Sequence, residues 1–138
     1  MSESIPTVAF VCTHNSCRSQ IAEALGRQFF SGVFTSFSAG TEVKDSINAD
    51  AMRLLQETHG IDMSIQQRPK LIQELPPIDV IITMGCGVEC PHLHCKHRED
   101  WALEDPTGKE DGAFLSLISS IEQKLSSLSD RIEGGLLR

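Results

Sequence analysis

The chain has 138 residues, 40% of them apolar and 22% charged, and 12 Lys and Arg against 19 Asp and Glu give a formal net charge of −7. That length sets one domain, residues 1–138, as the expectation, large enough to bury roughly two-thirds of its unfolded surface without a disulfide or metal to hold it. An acidic chain without a basic stripe is a poor partner for nucleic acid or an anionic membrane, and no apolar run approaches the roughly 20 residues of a membrane span.

At the amino end, Met1-Ser2-Glu3-Ser4-Ile5-Pro6 lacks the basic start of a secretory signal, so a cytoplasmic, reducing location is expected. Val8-Ala9-Phe10-Val11 reads as a short buried strand. From Ser19 a helical pattern places Ile21, Ala22, Leu25 and Phe29 on one face. A second strand is expected over Val33 to Phe37, closed by Ser38-Ala39-Gly40, and a helix over Ala49 to His59, stopped by Gly60. A helical turn over Lys70 to Glu74 precedes the strand Asp79-Val80-Ile81-Ile82-Thr83-Met84, and a Gly/Cys-rich loop runs from Gly85 to Pro91. A last strand is expected over Glu99 to Leu103. Phe114, Leu117, Ile118, Ile121, Leu125, Leu128 and Ile132 then stripe a long final helix. Strands alternating with helices imply a parallel sheet covered on both faces, with ligands at the carboxyl ends of its strands. Cys12, Cys86 and Cys90 all follow expected strand ends. Five cysteines in a reducing compartment are better read as reactive thiols or a metal site than as a disulfide framework.

Cys12-Thr13-His14-Asn15-Ser16-Cys17-Arg18-Ser19 joins a strand to a helix. Backbone N–H groups converge in such a turn, and the helix start adds about half a positive charge, a nest for a tetrahedral oxyanion. Arg18 adds a planar fork of donors, and Cys12 at the mouth of the loop sits in a field that favours the thiolate. A thiolate facing a bound tetrahedral centre is a nucleophile in position. Cys17, beside Arg18, is given no catalytic role beyond its backbone.

Val11-Cys12-Thr13-His14-Asn15-Ser16-Cys17-Arg18-Ser19-Gln20 resembles the loop shared by low-molecular-weight protein tyrosine phosphatases and the single-domain arsenate reductases built on that fold. Phe37-Ser38-Ala39-Gly40, Gly60-Ile61-Asp62-Met63-Ser64, the Asp79–Thr83 strand and Asp105-Pro106-Thr107-Gly108-Lys109 continue the match in order over nearly the whole chain. The resemblance implies a three-layer α/β fold, a four-stranded parallel sheet with helices on both faces. It implies Cys12 as nucleophile and Arg18 as oxyanion ligand within a phosphate-type loop of Thr13, His14, Asn15, Ser16, Cys17, Arg18 and Ser19. Ser19 would stabilise the thiolate and Asn15 would brace the loop. Asp105, stiffened by Pro106, is the candidate general acid.

Thiol content divides the two branches. A phosphatase needs one cysteine, because water finishes the reaction, whereas a reductase must deliver electrons to arsenic. Cys86 and Cys90, flanked by Gly85 and Gly87, supply further thiols. The resemblance to thioredoxin-coupled arsenate reductases then implies that Cys86 attacks Cys12 and Cys90 attacks Cys86. The disulfide is re-reduced by thioredoxin, itself maintained by NADPH, with no bound cofactor. Cys95 stands as an alternative final thiol. On this reading the protein is a monomeric detoxification enzyme for arsenate, with phosphate or sulfate as competing oxyanions. The alternative is a phosphatase acting on monoesters through Cys12, against which stand the absence of Tyr and the Thr107-Gly108 that follow Pro106. A third reading takes Cys86, Cys90, His92, His94, Cys95 and His97 as zinc ligands, although they lack paired metal-ligand spacing. Some thioredoxin-linked members hold potassium beside the loop. Asn15, Glu23 and Ser38 match that site, but its further acidic ligand is replaced near Pro69, so no metal is expected.

Overall fold

The computed structural model describes residues 5–85 and 95–137. Four strands, β1 (Thr7–Cys12), β2 (Thr35–Gly40), β3 (Val80–Thr83) and β4 (His97–Asp100), form one sheet in the order β2-β1-β3-β4. Every pairing is parallel, with Cys12 opposite Gly40 and Val11 opposite Thr83. The strand carrying Cys12 is therefore central, and its carboxyl end opens beside the ends of β2 and β3.

Alternation along β1 divides the core. Val8 and Phe10 join Val80 and Ile82 in a large cluster with the buried faces of α1 (Arg18–Phe29), α2 (Ala49–His59) and α3 (Asp111–Glu133). Ala9, Val11, Ala39 and Ile81 face the other way and are covered by Ile72 of a 3-10 turn, with Leu75, Ile78, Phe37 and Cys95 packed alongside. Among the described residues, the three α-helices thus cover one face of the sheet, and the 3-10 turn with its flanking segments covers the other.

Local chemistry sets the boundaries. Asn48 caps α2, its side chain accepting from the Ala51 N–H at 3.0 Å, and Gly60 closes the helix in the left-handed conformation at φ 66°. Three expectations shift. β2 starts at Thr35 and keeps Ser38, Ala39 and Gly40 inside the strand, because all three pair with β1. β4 runs over His97–Asp100, earlier than Glu99 to Leu103, because the ladder to β3 holds this polar edge segment while its own side chains offer no apolar run. Phe29, placed on the core face of α1, is 55% exposed and meets the ring of His59 instead. Among the described residues, no helix is long and apolar enough to cross a membrane.

Candidate active site

β1 delivers Cys12 to the carboxyl edge of the sheet, and α1 begins at Arg18, so five residues turn the chain between them. The turn is tight. Asn15 takes a left-handed backbone at φ 50°, and the end of β2 presses against the loop. A Cβ at Gly40 would lie 2.6 Å from the Thr13 carbonyl oxygen and 3.0 Å from the Asn15 nitrogen, so glycine alone fits there. The Thr13 carbonyl then accepts from both Thr41 N–H and Glu42 N–H, which fastens the loop to the segment after β2.

The Cys12 sulfur lies 2.9 Å from Ser19 Oγ. The direction of that contact follows from its neighbours. The backbone N–H of Lys70 can only donate, and it meets Asn15 Oδ1 at 2.9 Å, so the Asn15 carbonyl oxygen must face Lys70. Asn15 Nδ2 is thereby turned to donate to Ser19 Oγ at 2.8 Å. With that lone pair used, the Ser19 hydroxyl is left to donate to the Cys12 sulfur. Gln20 Nε2 reinforces the arrangement by donating to Asn15 Oδ1 at 3.1 Å, and Gln67 Nε2 donates to Gln20 Oε1 at 2.7 Å.

Arg18 is held from one side. Its Nη1 donates to the carbonyls of Met84 at 2.8 Å and Leu103 at 2.9 Å, which ties α1 to the chain leaving β3 and to the segment after β4. Arg18 also lines the cleft above the loop, and its Nη2 stands 4.0 Å from Asp105 Oδ2. The rims of those two segments are joined by Asp100. Its carboxylate accepts from Thr83 Oγ1 and from the N–H groups of Gly85 and Ala102. Burial tends to raise the Asp100 pKa, but those hydrogen bonds and the Arg18 charge outweigh it and lower it. Gly85, at φ 73°, comes so close to Ala102 that a Cβ there would lie 2.7 Å from the Ala102 Cα.

Thr13, His14, Arg18, Gly85, Ala102, Leu103, Glu104, Asp105 and Lys109 line an open cleft of about 570 Å³ above the loop. Asp105 accepts from the Thr107 N–H and hydroxyl, at 3.0 and 2.7 Å. Burial pushes its pKa upward, yet these bonds together with the Arg18 and Lys44 charges carry it below the ordinary carboxylate range. Asp105 is therefore ionised while the loop is empty, and a bound dianion, by offsetting Arg18, is what would return it toward the acid form. Cys17 points into the core, where burial first, then the charges of Asp105 and Cys12, push its thiol up to about 12, so it stays protonated.

The expected loop residues thus converge: Asn15, Ser16, Arg18 and Ser19 are buried around Cys12, while Thr13 and His14 reach the cleft. Asp105 stands on the opposite rim. Cys86 and Cys90 lie outside the described residues, as do His92 and His94 of the Cys/His cluster. Of the remaining members, Cys95 packs on the sheet face beside Ile78, and His97 Nε2 meets Glu99 at 2.7 Å. Cys95 also lies at the amino end of β4, next to Lys96, whose N–H bonds the Asp79 carbonyl. Cys12 is at the other end of the sheet, two strands over and six residues along, roughly 20 Å away. Sequence reasoning passed over Gln67, Lys70, Asp100 and the carbonyls of Met84 and Leu103. Only the uninterrupted polar run Gln66-Gln67-Arg68-Pro69-Lys70 hinted at the first two.

Comparisons agree with this geometry. The chain is 33% identical over 132 residues to an arsenate reductase of Brevibacillus brevis (strain 47 / JCM 6285 / NBRC 100599), covering 93% of this chain and 97% of that protein. A solved arsenate reductase in the phosphate binding state superposes with a TM-score of 0.83 at 32% identity, covering 93% of this chain and 99% of that one. The thioredoxin-dependent arsenate reductase of Corynebacterium glutamicum superposes with a TM-score of 0.76 at 31% identity, over 96% of this chain and 64% of that one. The family model for low molecular weight phosphotyrosine protein phosphatases matches residues 7–135, from the first strand to beyond the last helix. With the cysteine, arginine and serine of its loop brought together as described, the chain belongs to that family of enzymes.

Proposed function

We propose that this enzyme reduces arsenate to arsenite. Arsenate enters the loop, where Arg18 and the backbone N–H groups hold its oxygens, and the Cys12 thiolate attacks arsenic. Asp105 gives a proton to the departing oxygen, which leaves as water. The Cys86 thiolate then attacks the Cys12 sulfur. The sulfur–arsenic bond breaks with its electron pair going to arsenic, which leaves as arsenite, and a Cys12–Cys86 disulfide remains. Cys90 attacks Cys86 and frees Cys12, and the Cys86–Cys90 disulfide is reduced by the dithiol of thioredoxin, fed by NADPH. The protein needs no bound cofactor for this, and a reducing cytoplasm suits it.

The observation that carries the reading is the shared cleft. Gly85 lines it together with Thr13, His14 and Arg18, and Cys86 follows Gly85 in sequence. A second thiol next in sequence to a residue that lines the cleft above the oxyanion loop suits reduction and has no part in hydrolysis. Cys90 is preferred to Cys95 as the final thiol because Cys95 is packed at the far end of the sheet. Among the described residues, no Phe, Tyr or Trp lines the cleft to stack a phenyl ring.

One coupled assay tests the proposal. Arsenate, thioredoxin, thioredoxin reductase and NADPH should give steady NADPH oxidation, while an aryl phosphate under the same conditions is hydrolysed slowly or not at all. Rapid hydrolysis with no arsenate-dependent NADPH loss would establish the phosphatase instead. In Cys90→Ser, one equivalent of arsenate should leave a Cys12–Cys86 disulfide by mass spectrometry. A Cys12–Cys95 link would overturn the relay order.

A further inference from the structure

A second charged site lies beneath the oxyanion loop, on the side away from the cleft. Glu23, on α1, is 2% exposed. Its Oε1 accepts from Ser38 Oγ at 2.5 Å and its Oε2 from Arg27 Nη2 at 2.5 Å. Lys70 brings its ammonium to 3.6 Å from Glu23 Oε1, with its side chain 16% exposed. The same Nζ reaches the Arg68 carbonyl at 3.4 Å. The backbone of Lys70 works on the loop as well: its N–H holds Asn15 Oδ1, and its carbonyl accepts from Gly40 N–H at 2.9 Å.

Asn15, Glu23 and Ser38 are the residues that resemblance offers to a potassium ion, and as arranged they do not fit one. Asn15 Oδ1 is already engaged by two donors, the Lys70 N–H and Gln20 Nε2. Both Glu23 oxygens are engaged by donors, and the Lys70 ammonium already stands 3.6 Å from Oε1. A buried carboxylate needs compensating charge close by: Arg27 supplies it at Oε2, and Lys70, fixed in the chain, adds a second cation on the Oε1 side without drawing an ion from solution.

We infer that Lys70 is a positioning residue whose ammonium takes the place of a bound monovalent cation under the oxyanion loop. Its charge offsets that of the buried Glu23 carboxylate, which accepts from Ser38. Its backbone, held in register by that anchor, keeps Asn15 turned toward Ser19 and so the Ser19 proton on Cys12. The loop is accordingly self-sufficient in cations. This rests on an oxyanion-binding loop with a reactive Cys12, and it holds whether the cysteine adduct is then reduced or hydrolysed.

The test reads the loop directly, without turnover. Wild type and Lys70→Met are compared in potassium chloride and in tetramethylammonium chloride at equal ionic strength. The readouts are inorganic phosphate affinity by calorimetry and Cys12 alkylation rate by iodoacetamide at neutral pH, located by mass spectrometry. Wild type should give the same values within about twofold in both salts, and Lys70→Met should lose about fivefold or more in tetramethylammonium and recover most of it in potassium or ammonium chloride. A wild-type gain of about fivefold from potassium would overturn the inference, and this arm decides even if the variant does not fold. Lys70→Met matching wild type in tetramethylammonium would overturn it too, as would a loss that no small cation restores. Failure of arsenate reduction with these results intact would count against the proposed reaction alone.

Discussion

At the scale of single residues, the activity of Cys12 depends on where one proton points. Ser19→Ala removes the one side-chain donor at the sulfur among the described residues, 2.9 Å away, while leaving its packing nearly unchanged. The loss of a hydrogen bond to a charged partner is worth about 1.5–3 kcal/mol, so Cys12 alkylation and turnover should both fall about 10- to 100-fold, measured at neutral pH. Arg18→Lys keeps the charge but loses the planar fork that serves two carbonyls and an anion at once. Phosphate affinity by calorimetry should weaken about 10- to 100-fold, and a change of less than about twofold would show that the loop amides bind alone. These residues were legible in the chain because they are consecutive: strand, loop and helix start fall within Val11 to Gln20. Gln67, Lys70 and Asp100 were not. Each acts on residues 15 to 55 positions away, and nothing local marks such a partnership.

At the scale of elements, β4 is an edge strand without an apolar face, and it is tied to the body by charge. Glu99 accepts from Arg131 Nη1 and Nη2 at 2.7 and 2.9 Å, from Trp101 Nε1 at 2.7 Å and from His97. The bond from Arg131 is the largest cause that holds the Glu99 carboxyl down at about 2, against the opposing effect of burial. Glu99→Gln should destabilise the protein by about 1–2 kcal/mol, a value kept low because the group is partly solvated. That corresponds to a drop of about 3–6 °C in melting temperature, read by calorimetry. The misplacement of this strand in the sequence has the same origin. Its register comes from the ladder to β3 and a salt link to α3, not from an alternating pattern of its own. The long α3 stripe, by contrast, was plain, because Phe114, Leu117, Ile118, Ile121, Leu125 and Leu128 repeat at helical spacing and are all buried.

At the scale of the whole molecule, the carboxylates with resolved shifts all move the same way. Glu74, Glu99, Asp100, Asp105 and Asp111 are each lowered. A carboxyl group with a lower pKa in the folded state adds stability that is complete above its unfolded pKa and disappears as the pH falls through its folded value. Glu99 places that window between its ordinary 4.5 and about 2. The melting temperature should therefore be level from neutral pH down to about 5 and then fall steadily with acid, and Glu99→Gln should flatten part of that slope. A melting temperature that rose on acidification would contradict the assignment.

The tether from Arg18 Nη1 to the Met84 carbonyl makes one guanidinium answerable to two masters. Its other nitrogens meet the incoming anion, while this one grips the residue from which the chain sets out toward Cys86. Linkage is reciprocal: if moving Met84 alters how firmly Arg18 holds an anion, then a seated anion biases Met84 by an equal factor. On the proposed relay, occupancy of the cradle and the approach of the second sulfur would then be linked by that same factor.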